Sequence, residues 1–218
     1  MSLEHDWPLF GLNVTTPRLT LRHPTDADLE RLNAIVGKGI HDPAWMPFEI
    51  PWTDEPETMR PRHSLQHWWR TRAEWDATKW TLTMMVSEGS TVVGVQDLMA
   101  TNFAVTREVA SGSWLGRAYQ GHGIGKEMRA AILHLAFAGL GAERATSGAF
   151  EDNAASIGVS RALGYVENGD EIKTPRGERR RSIRFLLTRA QWETRRRNDI
   201  QIHGLESCLS MFDLSEAD

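Results

Sequence analysis

"YQGHGIGKEMRAAILHLAF", residues 119–137, sets glycines at 121, 123 and 125 and then runs into a helix-like stretch. Glycine-rich entries to helices hold phosphate when backbone N–H groups and the positive end of the helix dipole point at it. A P-loop needs G-x-x-x-x-G-K-[ST]. Here Gly121 and Gly125 are one residue too close, and Lys126 is followed by Glu127, whose carboxylate would repel phosphate. The dinucleotide fingerprint G-x-G-x-x-G also fails, because the glycines read G-x-G-x-G and hairpin strands precede them. The pattern that fits is Q-x-x-G-x-G, met by Gln120, Gly123 and Gly125. Such a loop either cradles a pyrophosphate or serves only as a tight helix entry.

Around the loop the hydrophobic period changes several times. Residues 18–25 read as a short strand, with Thr25 and Asp28 forming a capping box for a helix striped by Leu29, Leu32, Ile35 and Val36. A second helix is predicted over 61–77 from Pro61. Alternation at Trp80, Leu82, Met84 and Val86 predicts a strand that turns at 88–90 into another at 91–100. A third strand is expected at 104–115, then a long helix over 122–140, with Met128, Ile132, Leu135 and Gly139 on the sheet and Gly141 as a left-handed cap. Beyond it the pattern predicts a strand at 144–150, a helix at 153–163, strands at 164–170 and 180–187, and a helical turn or two at 188–197. No internal repeat or linker divides the chain.

Composition narrows the function. Two hundred and eighteen residues suffice for one core without metal or disulfide, and the single cysteine, Cys208, suits a reducing, cytoplasmic setting. No apolar run approaches the roughly 20 residues of a membrane span, and the opening residues lack the pattern of a signal peptide. A net charge of −4 argues against a nucleic-acid partner, and the arginine runs at 179–181 and 195–197 read as solvated faces. The apolar tail at 205–214 is the one stretch that suggests a homo-oligomer contact.

Three segments carry a family resemblance: "TPRLTLRHPTDADLERL" (16–32), "SWLGRAYQGHGIGKEM" (113–128) and "EDNAASIGVSRALGYVENG" (151–169). In this order the chain resembles the GCN5-related N-acetyltransferase (GNAT) superfamily, in particular its ribosomal-protein N-acetyltransferase-like branch. The wording "SGSWLGRAYQGHGIGKEMR" is similar to an actinobacterial subgroup, in which succinyl-CoA has been associated with the fold. The resemblance implies an α/β (α+β) fold whose mixed sheet splays into a V between two parallel strands. It covers a domain at 15–190, leaving a helical tail at 191–218. It further implies an acyl-CoA-dependent N-acyltransferase: acetyl-CoA is the default donor and succinyl-CoA the alternative. The acceptor would be a small-molecule, peptide or protein amine, and no metal is needed. A catalytically weak CoA-binding or sensing protein is the other reading.

The resemblance also assigns roles. The pyrophosphate would lie on backbone amides of Gly121, His122, Gly123, Ile124, Gly125 and Lys126 behind Gln120. Trp114 and Leu115 would bond the pantetheine arm, with a main-chain N–H near Leu115 polarising the thioester carbonyl. Asn153 either contacts that arm or caps its own helix, and Ser156 and Ser160 share its face, opposite an apolar stripe of Ala155, Val159, Ala162 and Leu163. Relatives often place a tyrosine acid at the position of Ser160, which makes this serine the candidate general acid. They often carry an acidic base at the position of Ala110; Glu108, two residues earlier, is the substitute candidate, with His41, Asp42 or a water chain as others. The acceptor is expected against His41, Trp45, Phe48 and Trp52, where Asp42, Glu49, Asp54 and Glu55 would suit a cation.

Overall fold

In the computed structural model, which describes residues 3–215, nine strands join in one mixed sheet of order β7-β8-β6-β5-β4-β3-β2-β1-β9. They are β1 (Asn13–Thr15), β2 (Leu19–Arg22), β3 (Lys79–Glu88), β4 (Thr91–Thr101), β5 (Glu108–Leu115), β6 (Arg144–Phe150), β7 (Val166–Lys173), β8 (Arg180–Thr188) and β9 (Gln201–His203). Four helices of two turns or more cover its faces: α1 (Asp26–Gly37), α2 (Arg60–Ala73), α3 (Ile124–His134) and α4 (Ala154–Ala162).

The alternation read from 80 to 100 folds as a β3–β4 hairpin, and β4 pairs with β5 from Gly94–Leu115 to Met99–Ala110. Only β5 and β6 run parallel. Their ladder holds Glu108–Arg144, Val109–Ala145 and Ala110–Thr146, and past Ala110 and Thr146 the two strands part. A parallel neighbour requires a crossover, and α3 provides it. The split leaves one edge of β5 without strand partners between Ser111 and Leu115.

Side-chain alternation sorts the two faces. Val109, Leu115, Leu98 and Ala145 face the main core with Ile124, Met128 and Ile132 of α3. On the other face Trp114 packs with Met85, Val92 and Val95 under Leu29, Leu32 and Ile35 of α1 and Trp68 of α2. The capping box at Thr25 is present: its N–H donates to Asp28 Oδ2 at 2.8 Å. Gly141, at φ +77°, takes the left-handed conformation expected after α3.

Several boundaries differ from expectation. The second helix stops at Ala73, because Trp75 turns inward to stack on Trp80 at 5.9 Å and meet Phe212 edge-on at 5.5 Å. Residues 103–106 form a helical turn around the buried Phe103, so the third strand starts at Glu108. The long helix ends in a π-turn over Leu135–Gly139, where the Leu140 N–H reaches back to Leu135 O at 2.9 Å.

The stripe of α4 is corrected in part: Ala155 and Ala162 face solvent, Val159 and Leu163 are half-buried with Leu163 on the core, and Ile157 and Ser160 are buried. The helix rolls its serine face, not its alanine face, into the gap between β5 and β6. The C-terminal tail, expected to be helical, instead adds β9 antiparallel to β1 and then a 3-10 helix over Glu206–Phe212. Its apolar residues pack on their own chain. Phe212 is buried against Trp75 and Trp80, and the Trp75 indole N–H donates to Met211 O at 2.9 Å. Cys208 is buried too, and burial pushes its thiol up to about 11. No described helix is long and apolar enough to cross a membrane.

Candidate active site

The glycine loop opens at the mouth of the split. Gly121 and Gly123 adopt φ of +81° and +80°, a region only glycine enters freely, and nothing crowds the position of a Cβ on Gly121. Glu127 N–H is the first to bond back into α3, to Gly123 O at 3.1 Å. The N–H groups of Ile124, Gly125 and Lys126 belong to the first turn and have no helix carbonyl to donate to. His122 and Lys126 stand exposed beside them. These residues fit a pyrophosphate: a row of backbone donors at a helix N-terminus with room above it.

Gln120 works by tying the loop down. Its Nε2 donates to Leu115 O at 3.0 Å and to Ile40 O at 2.7 Å, fixing the end of β5 to the segment after α1. Glu127, the carboxylate that spoils a P-loop, is tied to the residues just before β2. It accepts from Thr16 Oγ1 at 2.7 Å and from Arg18 Nε at 2.8 Å. Burial alone would push its carboxyl up, but those hydrogen bonds and the Arg18 charge more than offset this and hold it below its ordinary value. Arg18 thus adds a cation whose Nη2 lies 3.9 Å from a Cβ built on Gly123, a contribution the sequence reading missed.

On the α3–α4 face the split is lined by hydroxyls. Ser111 and Ser113 come from β5, Ser147 from β6 and Ser160 from α4. Among them lies Arg129 of α3, 4% exposed. Its Nη1 donates to Ser160 Oγ at 3.1 Å and Ser147 Oγ at 3.2 Å, and its Nη2 to Ser113 Oγ at 3.2 Å. Ser160 is wholly buried and accepts from this guanidinium, so its own O–H stays available as a donor. Asn153 caps α4: its Oδ1 accepts from the Ser156 N–H at 3.1 Å, the capping half of the two expected roles.

The opposite face carries a cavity of about 490 Å³ bounded by Ala110, Met99, Thr146, Gly148, Pro47 and Lys173. Glu108 also reaches it but is paired with Arg144 at 3.1 Å, on the closed side of the split, which makes it a poor base. His41 is engaged at both ring nitrogens: Nδ1 lies 2.8 Å from Asp42 O and Nε2 2.7 Å from Thr53 Oγ1.

A different carboxylate stands nearer. Asp97 on β4 lies across the ladder from Gly112, just past the point where β5 and β6 part. A Cβ on Gly112 would come 4.0 Å from Asp97 Oδ2. Burial pushes its carboxyl up to about 6, with the Thr83 hydroxyl opposing, and Oδ1 has no hydrogen-bond partner. Asp97 and Arg129 were not singled out in the sequence. An acid in "VVGVQDLMA" and an arginine in "MRAAILHLAF" were the available signals, each a lone charge in an apolar run.

The 41–54 segment roofs the cavity, and its aromatics touch in series: His41 to Phe48 (5.6 Å), Phe48 to Trp52 (5.5 Å) and Trp52 to Trp114 (6.1 Å). Trp45 turns aside, its indole N–H donating to Asp152 at 2.8 Å. The acidic wall expected for a cationic acceptor is largely spent. Asp54 holds Arg176 at 2.6 Å, Glu49 holds Lys173 at 3.1 Å and Glu55 pairs with His63. Asp42 caps a local turn through the Ala44 N–H at 3.0 Å. The Asp54–Arg176 and Glu49–Lys173 pairs fasten the roof to the β7–β8 hairpin instead.

A phosphate-ready helix entry beside two parted parallel strands, with a donor-lined side and an acceptor cavity, defines an acyl-group transferase. The chain belongs to the GNAT acetyltransferase family: residues 18–166 match the acetyltransferase (GNAT) domain, which places it among the acyl-CoA-dependent N-acetyltransferases. Among solved structures it is similar to Mycobacterium smegmatis RimJ in complex with a CoA disulfide, at 17% identity over 94% of this chain and 95% of that one, with a TM-score of 0.71. It is also similar to RimL, a ribosomal L7/L12 α-N-protein acetyltransferase in complex with CoA (18% identity, 79% and 95% covered, TM-score 0.62). A third similar structure is a Salmonella typhimurium acetyltransferase that modifies the N-terminal serine of ribosomal protein L7/L12 (17%, 79% and 96%, 0.62). At these identities the likeness speaks for the fold. Among the described residues no group of three or more metal-binding side chains occurs.

Proposed function

We propose that the protein transfers an acyl group from acyl-CoA to a primary amine by direct attack, with the amine entering from the 490 Å³ cavity and CoA from the glycine loop. The observation that carries this reading is the split itself: donors on one face, cavity and carboxylate on the other, and three residue pairs of parallel ladder marking where they meet. The loop amides of Gly121–Lys126 would hold the pyrophosphate, and the unpaired edge of β5 at Trp114 and Leu115 the pantetheine.

An attacking amine must be neutral, so a base has to accept its proton. Asp97 fits better than Glu108 or His41, since no cation pairs with it and its carboxyl sits at about 6. A base of that strength suits an α-amine near ~8 better than a lysine near ~10.4. This favours a peptide or protein N-terminus as acceptor, in keeping with the acceptors named for RimL and for the Salmonella typhimurium acetyltransferase. As the C–N bond forms and the C–S bond breaks, CoA departs as a thiolate, toward which the Ser160 hydroxyl would donate a hydrogen bond, and the proton released by the amine goes to the base.

Acetyl is the smallest group the thioester site has to accommodate. A succinyl tail requires a cation beyond the thioester, and Arg129 is a cation on that side. The test is calorimetric titration with CoA and acyl-CoA, followed by thiol release against a panel of amines and N-terminal peptides. Micromolar binding with turnover on a peptide α-amine is expected. Binding without turnover on any amine would instead make the protein a CoA sensor.

A further inference from the structure

The helices leave half of one sheet face bare. Strands send alternate side chains to opposite faces. On β3, β4, β5 and β6 one set, including Trp80, Leu82, Leu98, Val109 and Ala145, is buried in the main core. The alternate set, Lys79, Thr81, Met99, Thr101, Ala110 and Thr146, faces the other way and is half-buried or exposed. α1 and α2 cover that face only farther along, over Met85, Val95 and Trp114.

Over the bare half lies a second cavity, of about 590 Å³, bordered by Lys79, Thr81, Thr101 and Thr106. It is continuous with the acceptor cavity, because both are lined by Met99, Glu108, Ala110, Arg144 and Thr146. Together they form one groove across β6, β5, β4 and β3, with the short side chains of Ala110 and Thr146 as its low floor. At the opposite end the acceptor cavity is crossed by the Glu49–Lys173 pair at 3.1 Å. An acceptor too long for the first cavity therefore extends toward β3.

The extension has a charge and a reach. Of the charged side chains that line it, Glu108 and Arg144 pair at 3.1 Å and neutralise one another. Lys79 is left exposed, with no ion pair among the described residues, on a chain whose net charge is −4. Thr81 and Thr101 add hydroxyls, which both donate to and accept from peptide groups. Lys79 stands opposite Thr101, four residues along β4 from Asp97, which is about 13 Å at the rise of a strand. An extended peptide whose α-amine meets Asp97 covers that distance in roughly four residues. We infer that this groove holds the first residues of a polypeptide acceptor in extended form, and that Lys79 selects an acidic side chain at the third to fifth of them. This rests on the N-terminal-amine reading above and adds the acceptor sequence it reads.

The experiment follows thiol release from acetyl-CoA with a dipeptide amide and with hexapeptides that carry one glutamate or one lysine at residue 3, 4 or 5. The best glutamate hexapeptide should exceed its lysine counterpart about three- to tenfold in kcat/KM, the scale of exposed charges attracting in one and repelling in the other. The difference should lie in KM and shrink as salt rises. Lys79→Glu, a change at an exposed side chain that keeps the fold, should invert the ratio. Thr101→Trp, which fills the extension, should raise KM for hexapeptides and spare the dipeptide. Equal kcat/KM for glutamate and lysine hexapeptides in wild type overturns the inference, as does a ratio that survives Lys79→Glu. Hexapeptides no better than the dipeptide, and indifferent to Thr101→Trp, overturn it too and end the acceptor within the first cavity. Acylation of small amines but of no peptide refutes the N-terminal-amine reading and this inference with it.

Discussion

Replacing Asp97 with asparagine should make the protein more stable and nearly inactive, and the structure sets both magnitudes. The carboxyl rises from 3.8 to about 6 on folding because burial penalises its charged form. As pH climbs through 3.8 the unfolded chain releases a proton that the folded chain retains, so stability falls with pH until the folded group ionises near 6. Above that the full penalty applies, about 2–3 kcal/mol for a shift of this size. Asparagine is nearly isosteric and carries no charge. Urea melts of Asp97→Asn should therefore show a gain of about 2–3 kcal/mol at pH 8 that shrinks to nothing as the pH falls below 3.8. For a chain of this length that corresponds to a rise in Tm of roughly 5–10 °C. Wild-type kcat/KM with a peptide α-amine should climb with pH through about 6. The variant should lose roughly 10²–10⁴-fold in kcat with CoA affinity intact. A variant of unchanged activity removes Asp97 from the chemistry, and one whose stability gain is independent of pH refutes the account of its burial.

Three other outcomes follow from named contacts. Gly94→Ala would place a Cβ 2.2 Å from Trp114 O and 2.9 Å from Leu115 Cα, so it should destabilise by about 1–3 kcal/mol in urea and weaken CoA binding by shifting the end of β5. Arg176→Ala releases the roof from its bidentate hold on Asp54 and should raise the acceptor KM while leaving donor affinity and Tm near wild type, read from steady-state kinetics and thermal melts. Glu127→Ala strands Thr16 and Arg18 and should cost about 1–3 kcal/mol at pH 7. Because the Glu127 carboxyl is held low, that difference should shrink as pH falls below about 4.5.

What the sequence disclosed was set by how local the signal is. The β3–β4 hairpin, the Thr25 capping box and the glycine loop depend on residues a few positions apart, and each formed where the pattern put it. The β5–β6 split follows from α3 having to cross over, and so came with the family resemblance. Three-residue β1 and β9 offer too little alternation to be seen, and β9 exists because β1 leaves an edge. The burial of Ser160 in place of the α4 alanines was missed because its partner is an arginine 31 residues earlier, and periodicity cannot weigh a polar contact of that range. The acidic roof was legible as composition only. That Asp54 and Glu49 are consumed by Arg176 and Lys173 depends on a hairpin more than a hundred residues away.

Electron density for CoA in crystals grown with the cofactor tests the central claim most directly. The pyrophosphate should rest on the amides between Gly121 and Lys126, and the pantetheine should run along the free edge of β5 with its sulfur at the split near Ser160. CoA bound elsewhere, or a sulfur that stops short of the point where β5 and β6 part, would contradict the reading of this split as the reaction centre.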